Sequence, residues 1–268
     1  MVSVLQSELE ELQTHGQISV VVPAYNEEKR ISPLLGDLTS HLKNLDKIIV
    51  VVDGNDNTEA IAKSFGGKIN VLRFRKKLGR GGAVLRGITQ AESEIVCFID
   101  ADGAAPWFEL AKVAAEVSKE NPCVVASRWV RGAVIKNHES VLKTLSGRIW
   151  HYILYLILGL KVKDVQCGLK CFYGPVAKSL VNKIRVTNSL FDADLLFTFQ
   201  RFGIRIVEKG ISWTHMKGTK MSVIKNHVLL MFLGVLGIRL VHTKIYKKYE
   251  RVLSGPATKI LNFINEFH

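Results

Sequence analysis

Two carboxylates one residue apart, Asp100 and Asp102, close the run Ile95-Val96-Cys97-Phe98-Ile99 and are followed at once by Gly103. A short continuous apolar run of this kind reads as a buried strand, and the carboxyl ends of strands in open α/β sheets are where ligands bind. Paired carboxylates there are hard oxygen donors for Mg²⁺ or Mn²⁺, ions that take one or two carboxylates and complete their shell with phosphate oxygens and water. A plainer explanation competes with this: an acidic pair also caps a following helix, here one beginning near Pro106.

Three other stretches carry residues able to do chemistry. Pro23-Ala24-Tyr25-Asn26-Glu27-Glu28 follows the first apolar run. A dinucleotide site would need Gly-x-Gly-x-x-Gly there so that the backbone could approach a pyrophosphate, which argues against NAD and FAD. Pro23 would fix the exit from the strand, Tyr25 flank a base and Glu27 accept ribose hydroxyls, unless the segment only turns into a helix. Asp53 closes the second apolar run, Val50-Val51-Val52, where it is placed to accept a nucleobase N–H, while Asp56 or Asn57 caps the next helix. Between Arg73 and Ala83 the glycines Gly79, Gly81 and Gly82 stand among five cationic side chains, the last of them Arg80. Glycines opening a helix invite an anion, so diphosphate contact is expected, but the Walker spacing is absent and a nucleoside triphosphatase is not.

The elements that must hold these residues alternate. Strand-like runs at Ile18–Val22, Lys47–Val52, Asn70–Phe74, Ile95–Ile99 and Cys123–Ala126 are separated by helical patterns over Ile31–Leu42, Thr58–Phe65, Ala83–Gln90 and Trp107–Ser118. This predicts an α/β chain with a mostly parallel sheet flanked by helices. After about Asn137 the rhythm changes to a long helix through Leu160, a strand over Cys167–Tyr173, helices at Val176–Asn182 and Phe191–Phe202, a strand near Arg205–Glu208, and an apolar, basic helix from about Met221. The expected organisation is an N-terminal extension (1–16), one α/β domain (17–220) and a basic amphipathic tail (221–268).

Charge is unevenly placed. Residues 1–140 carry 17 basic and 18 acidic side chains, residues 141–268 carry 20 and 6, so the whole formal charge of +13 comes from the second half. A basic half faces nucleic acid, an anionic membrane or a phosphorylated substrate. Here it borders the apolar runs Ile149–Leu160 and Val228–Val241, both shorter than the roughly 20 residues that cross a bilayer. The second run is followed by His242, Lys244, Lys247, Lys248 and Arg251, the pattern of a helix lying on anionic headgroups, or else of a core helix with a solvated tail. Nucleic-acid binding would call for aromatic or arginine stacking surfaces instead. The acidic N-terminus has no basic leader with a long apolar core, so no signal peptide and no spanning helix is expected, and the chain is placed on the cytoplasmic side, peripheral or monotopic. Cys97, Cys123, Cys167 and Cys171 have no Cys-x-x-Cys spacing and are expected to be reduced and structural.

In chain order, Pro-Ala-Tyr-Asn-Glu, a strand-end Asp, Gly-Arg-Gly-Gly and Asp-Ala-Asp-Gly resemble the family 2 glycosyltransferases of GT-A fold, and among them the polyprenyl- and dolichyl-phosphate glucose and mannose synthases. Ser127-Arg128, Asp164-Val165-Gln166-Cys167-Gly168-Leu169-Lys170, Phe191-Asp192-Ala193-Asp194-Leu195-Leu196, and Trp213 through Gly218-Thr219-Lys220 are similar to blocks of that subfamily. The resemblance implies that Pro23, Ala24, Tyr25, Glu27 and Asp53 contact the nucleoside, and that Asp100 and Asp102, with Ala101 between them, hold the donor and the Mg²⁺ or Mn²⁺. It implies that Arg128 and Lys220 meet the donor diphosphate. Mannose synthases often place a Gln where this chain has Ala104, which leaves a third protein ligand open, and Asp53-Gly54-Asn55 replaces an Asp-Asp-Gly-Ser block. Asp194 stands where a Glu is more usual, either orienting acceptor or sugar or capping its helix.

The implied reaction moves a hexose from a nucleotide-diphosphate sugar, UDP-glucose by preference, to a polyprenyl or dolichyl phosphate. The acceptor phosphate is already largely dianionic near neutral pH, its second pKa being about 6, so no strong general base is needed. The demand is electrostatic: the metal on Asp100 and Asp102, with Arg128 and Lys220, would neutralise the departing diphosphate. Lys143, Ser146 and Arg148, at the head of the apolar helix, would hold the acceptor phosphate, or serve only as solvated anchors. Direct displacement inverts the anomeric centre. The alternatives are a GDP-mannose-dependent mannosyltransferase and a non-catalytic membrane-surface binding protein. A processive polysaccharide synthase would carry Gln-x-x-Arg-Trp and true membrane spans, and a nucleotidyltransferase a glycine-rich signature after the first strand.

Overall fold

The computed structural model describes residues 16–136, 141–214 and 225–243, the second and third segments with side chains from 147 and 231 onward. Its first half alternates strictly: β1 (Ile18–Ala24), α1 (Ile31–His41), β2 (Leu45–Val52), α2 (Thr58–Ser64), β3 (Ile69–Arg73), α3 (Gly79–Gln90), β4 (Ile95–Ile99), α4 (Trp107–Ala115) and β5 (Cys123–Ser127). The second half continues through β6 (Val134–Lys136), α5 (Val141–Leu158), β7 (Leu169–Tyr173), α6 (Gly174–Val181), α7 (Phe191–Arg201), β8 (Ile206–Gly210), β9 (Ser212–Thr214) and α8 (Lys225–Val241).

Seven strands form one sheet in the order β3-β2-β1-β4-β7-β5-β8, and β7 alone runs against the others. The strands read as unbroken apolar runs because both faces are covered: Val21, Ile49, Val51 and Phe98 enter the core beneath α3, α6 and α7, whereas Val20, Val22, Val50 and Cys97 enter the core beneath α1 and α4. The chain leaves β1 for β2 on one side and returns to β4 on the other. The crevice at the carboxyl ends of β1 and β4 is therefore the topological switch point, where open α/β sheets bind ligands.

Two strands were not legible in the sequence. β6 and β9 are three residues each and, among the described residues, pair only with one another, in parallel, too short to print a period of two. A second departure concerns the cysteines. β4 and β7 pair antiparallel with Cys97 directly opposite Cys171, and their sulfurs are joined in a disulfide, a proximity that only the register creates. Cys123 and Cys167 are free and buried; burial pushes both thiols up, Cys167 to about 12.

α5 and α8 pack against each other at the edge of the domain. Leu154 and Leu158 of α5 and Val235, Ile238 and Val241 of α8 face the core, while Ile149, Tyr152, Tyr155 and Leu156, and Phe232, Leu233, Leu236 and Leu240, are exposed. Among the described residues no helix is long and apolar enough to cross a membrane. The N-terminal extension (1–16), apart from Gly16, and Lys244 onward in the basic tail lie outside the described residues.

Candidate active site

The strand ends at the switch point deliver Tyr25 from β1, Asp53 from β2 and Asp100 and Asp102 from β4. Asp102 Oδ1 accepts the N–H of Ala104 at 3.0 Å, a tight local turn, and α4 begins after Pro106 with no side-chain cap. The acidic pair therefore does not cap that helix, and both side chains remain partly exposed. Asp100 is held from below: its N–H donates to Gly168 O at 3.0 Å, and Gly168 has no room for a Cβ, which would lie 2.6 Å from Asp100 Cγ. The block Asp164 to Lys170 thus serves as a floor for Asp100.

Arg80 Nε donates to Asp100 Oδ1 at 2.7 Å and Nη2 to Oδ2 at 3.2 Å, while Nη1 reaches Asp192 Oδ2 at 2.5 Å. Asp192 Oδ1 accepts from Lys170 Nζ at 2.6 Å, and Lys170, with no exposed surface, also donates to Cys167 O at 2.7 Å. Alternating charges thus run Lys170, Asp192, Arg80, Asp100. Burial alone would raise the Asp192 carboxyl, but Arg80 and Lys170 hold it below the usual carboxylate range. For Asp100 burial wins: its carboxyl is pushed up, with Asp102 and Asp192 adding to the push and Arg80 opposing it. Glu27 is raised likewise, first by burial and further by Asp102 and Asp100, although Arg30 forks onto both its oxygens at 2.6 and 2.7 Å.

Three acids therefore share one field at the crevice, and a divalent cation would relieve it. The donor set fits that cation: Asp100 and Asp102 are all-oxygen, and among the described residues no third His, Cys, Asp or Glu joins them. Such an incomplete protein shell suits Mg²⁺ or Mn²⁺ arriving with phosphate and water.

The nucleoside positions are tied to their surroundings. Tyr25 is exposed, with Lys77 Nζ 4.4 Å from its ring centroid, so a cation and an aromatic face stand together at the mouth. Pro23 and Ala24 are buried in β1 beneath it. Asp53 Oδ2 accepts the N–H of Leu78 at 2.7 Å, which anchors the loop before α3, and Asn26, at φ 56°, accepts from Asn55 N at 2.8 Å. The acid expected to meet a nucleobase thus also fixes the loop wall.

Several expectations change. The N–H groups of Gly81 and Gly82, at the start of α3, are taken by Thr187 O at 2.9 and 3.3 Å, so those amides serve the fold and not an anion. Arg80 is turned onto Asp100 and Asp192. Arg128 forks onto Asp164 at 2.7 and 2.8 Å and lies 5.3 Å from the Trp213 ring centroid, held by an acid on one side and an aromatic ring on the other. Asp194 neither faces the crevice nor caps its helix: fully buried, it accepts from Arg185 N at 2.6 Å and Val186 N at 2.9 Å and pairs with His242 Nε2 at 2.7 Å. The acid two residues earlier, Asp192, faces the site instead. A lysine in the middle of the apolar run Leu169-Lys170-Cys171-Phe172 was the one available signal for this network, since a charge in a central strand requires a buried partner.

The helix expected to have Arg148 at its head begins at Val141, so Arg148 is exposed inside α5 and not at its head, next to Gly147, which passes close over Trp129, the neighbour of Arg128. The side chains of Lys143 and Ser146, and all of Lys220, lie outside the described residues.

Residues 19–177 match the family description Glycosyl transferase family 2. Dolichyl-phosphate beta-glucosyltransferase of Homo sapiens is 30% identical over 227 residues, covering 76% of this chain and 69% of that protein. The protein of the same description from Saccharomyces cerevisiae is 30% identical over 233 residues, covering 77% and 69%. Among solved structures, glucosyl-3-phosphoglycerate synthase from Mycobacterium tuberculosis in complex with Mn²⁺, UDP and glucosyl-3-phosphoglycerate superposes with a TM-score of 0.62 at 20% identity, covering 88% of this chain and 82% of that chain. Mannosyl-3-phosphoglycerate synthase from Rubrobacter xylanophilus gives 0.62 at 15% identity, covering 92% and 79%. Such structural likeness shows the fold, the GT-A arrangement of a mostly parallel sheet.

Proposed function

Because the chain belongs to glycosyl transferase family 2, we propose that it moves glucose from UDP-glucose to the phosphate of a polyprenyl or dolichyl phosphate, with inversion at the anomeric carbon. The observation that carries this reading is the acidic pair at the carboxyl end of β4, at the switch point, in a field of like charges that calls for a cation. The relatives named as dolichyl-phosphate glucosyltransferases favour glucose and a lipid phosphate over GDP-mannose.

Asp100 and Asp102 would hold Mg²⁺ or Mn²⁺, which when bound supplies positive charge to the leaving diphosphate. Gly168 keeps Asp100 at the lip of the crevice, so its placement precedes substrate binding. Tyr25 and Lys77 would flank the base, and Asp53, by anchoring the loop at Leu78, keeps Lys77 beside Tyr25. Arg128, steered by Asp164 and Trp213, and Lys220 would contribute charge to the diphosphate. A phosphate oxygen of the acceptor attacks the anomeric carbon as the bond to the nucleoside diphosphate breaks, so an α-linked donor gives a β-linked product. The attacking group is already anionic, and no residue need remove a proton.

The acceptor would come from the side of α5, whose first half carries Lys143, Ser146 and Arg148 ahead of the exposed Ile149, Tyr152, Tyr155 and Leu156. The exposed apolar rows of α5 and α8, followed by the cations of the tail (221–268), suit an anionic membrane surface, with the domain (17–220) on its cytoplasmic side. The test is Asp102→Asn. With UDP-glucose, a short polyprenyl phosphate and Mn²⁺, the native chain should form a lipid-phosphate glucose identified by mass, and the variant, with unchanged melting temperature, should form none. Transfer at the native rate by the variant would remove the metal assignment.

A further inference from the structure

The Arg80 fork spans both oxygens of the first acid of the pair. Its remaining terminal nitrogen, Nη1, is fixed by Asp192, and Asp192 is fixed in turn by the fully buried Lys170. The guanidinium is therefore held at one end and placed on Asp100 at the other. Its 29% side-chain exposure, beside 28% for Asp100, places both at the lip of the crevice.

A divalent cation on Asp100 and Asp102 would have to share the same carboxylate with this guanidinium, and two cations on one carboxylate repel. We propose that Arg80 is the resting counter-ion of Asp100: the metal takes its place, and the displaced guanidinium, retained by Asp192, turns to the phosphates that arrive with the nucleotide. The inference rests on the divalent-metal reading above. Its consequence is thermodynamic linkage. Metal binds weakly alone and strongly with a nucleoside diphosphate, because the diphosphate compensates both cations, and each ligand tightens the other by the same factor. A purely structural Arg80 behaves in the opposite way: it would stay on Asp100, and its loss would loosen the acid and weaken metal binding. Removing Arg80 does not leave Asp192 unpaired, since Lys170 remains on it, so the fold should survive.

The experiment is a Mn²⁺ titration of the full chain followed by the electron paramagnetic resonance signal of the free ion, with and without UDP. For the native chain UDP should tighten Mn²⁺ ten-fold or more. Arg80→Gln should bind Mn²⁺ about ten-fold more tightly than native without UDP and show a much smaller effect of UDP, with Arg80→Lys in between. Unchanged or weaker Mn²⁺ binding by Arg80→Gln without UDP, at a melting temperature close to native, overturns the proposal. So does a native chain whose Mn²⁺ affinity ignores UDP, a measurement that needs no variant. A native chain that binds no Mn²⁺ even with UDP would instead overturn the metal reading itself.

Discussion

Gly168→Ala isolates the placement of Asp100 without touching an acid. No left-handed φ is present at Gly168, so alanine is compatible with the backbone, and what opposes it is the Asp100 carboxyl: the new Cβ would lie 2.6 Å from Cγ and closer still to Oδ2, against 3.4 Å for ordinary contact. The carboxylate must therefore move by at least about 0.8 Å, or the strand end must lift, and overpacking of this kind costs about 1–3 kcal/mol. A displacement near 1 Å in a reacting constellation costs about 100-fold in rate. We expect glucose transfer to fall roughly 30- to 100-fold and Mn²⁺ to bind more weakly in the presence of UDP, while the melting temperature drops by only about 2–10 °C, as that overpacking cost implies for a domain of this size. Radiolabelled transfer at saturating donor and a Mn²⁺ titration read the two effects. Transfer and Mn²⁺ affinity both within two-fold of native would refute the idea that the Gly168 floor sets the metal carboxylate.

Asp192→Asn leaves Lys170 buried without its carboxylate, and breaking such a pair costs about 3–5 kcal/mol, measurable by urea unfolding. The native carboxyl is held below its unfolded value of about 3.9, so its contribution is complete above that pH and disappears as pH falls through the lower folded value. The stability gap between native and variant should be flat from neutral pH to about 4 and close only in stronger acid; a gap that begins to close near pH 6 contradicts this account. Exchanging Lys244, Lys247, Lys248 and Arg251 together for Gln removes four charges worth about 1 kcal/mol each near an anionic surface, so binding to phosphatidylserine-containing vesicles should weaken at least about 100-fold at low salt. Equal partitioning of native and variant would rule out the tail as the membrane contact.

The order of elements was legible because each strand of the parallel sheet is buried on both faces and so appears as an unbroken apolar run, and each helix as a stripe. Ile95–Ile99 has the expected bounds, and the strand ends that place Tyr25, Asp53, Asp100 and Asp102 at one crevice follow from that alternation alone. The two acids were visible as a candidate site because local sequence sets them one residue apart at a strand's end. What the sequence did not determine is which partner each charge meets. Lys170 and Asp192 are 22 residues apart and Arg80 and Asp192 are 112 apart, and they meet only because β7 reverses beside β4 and α7 packs with Phe191 on Gly81 at the start of α3. The same reversal sets Cys97 opposite Cys171. Spacing along the chain also could not tell Asp192 from Asp194, since both belong to the first turn of one helix; packing turns one to the crevice and closes the other around His242. Local pattern fixes elements because it is a property of neighbouring residues, whereas the pairing of charges depends on how distant elements pack, and that was decided only in three dimensions.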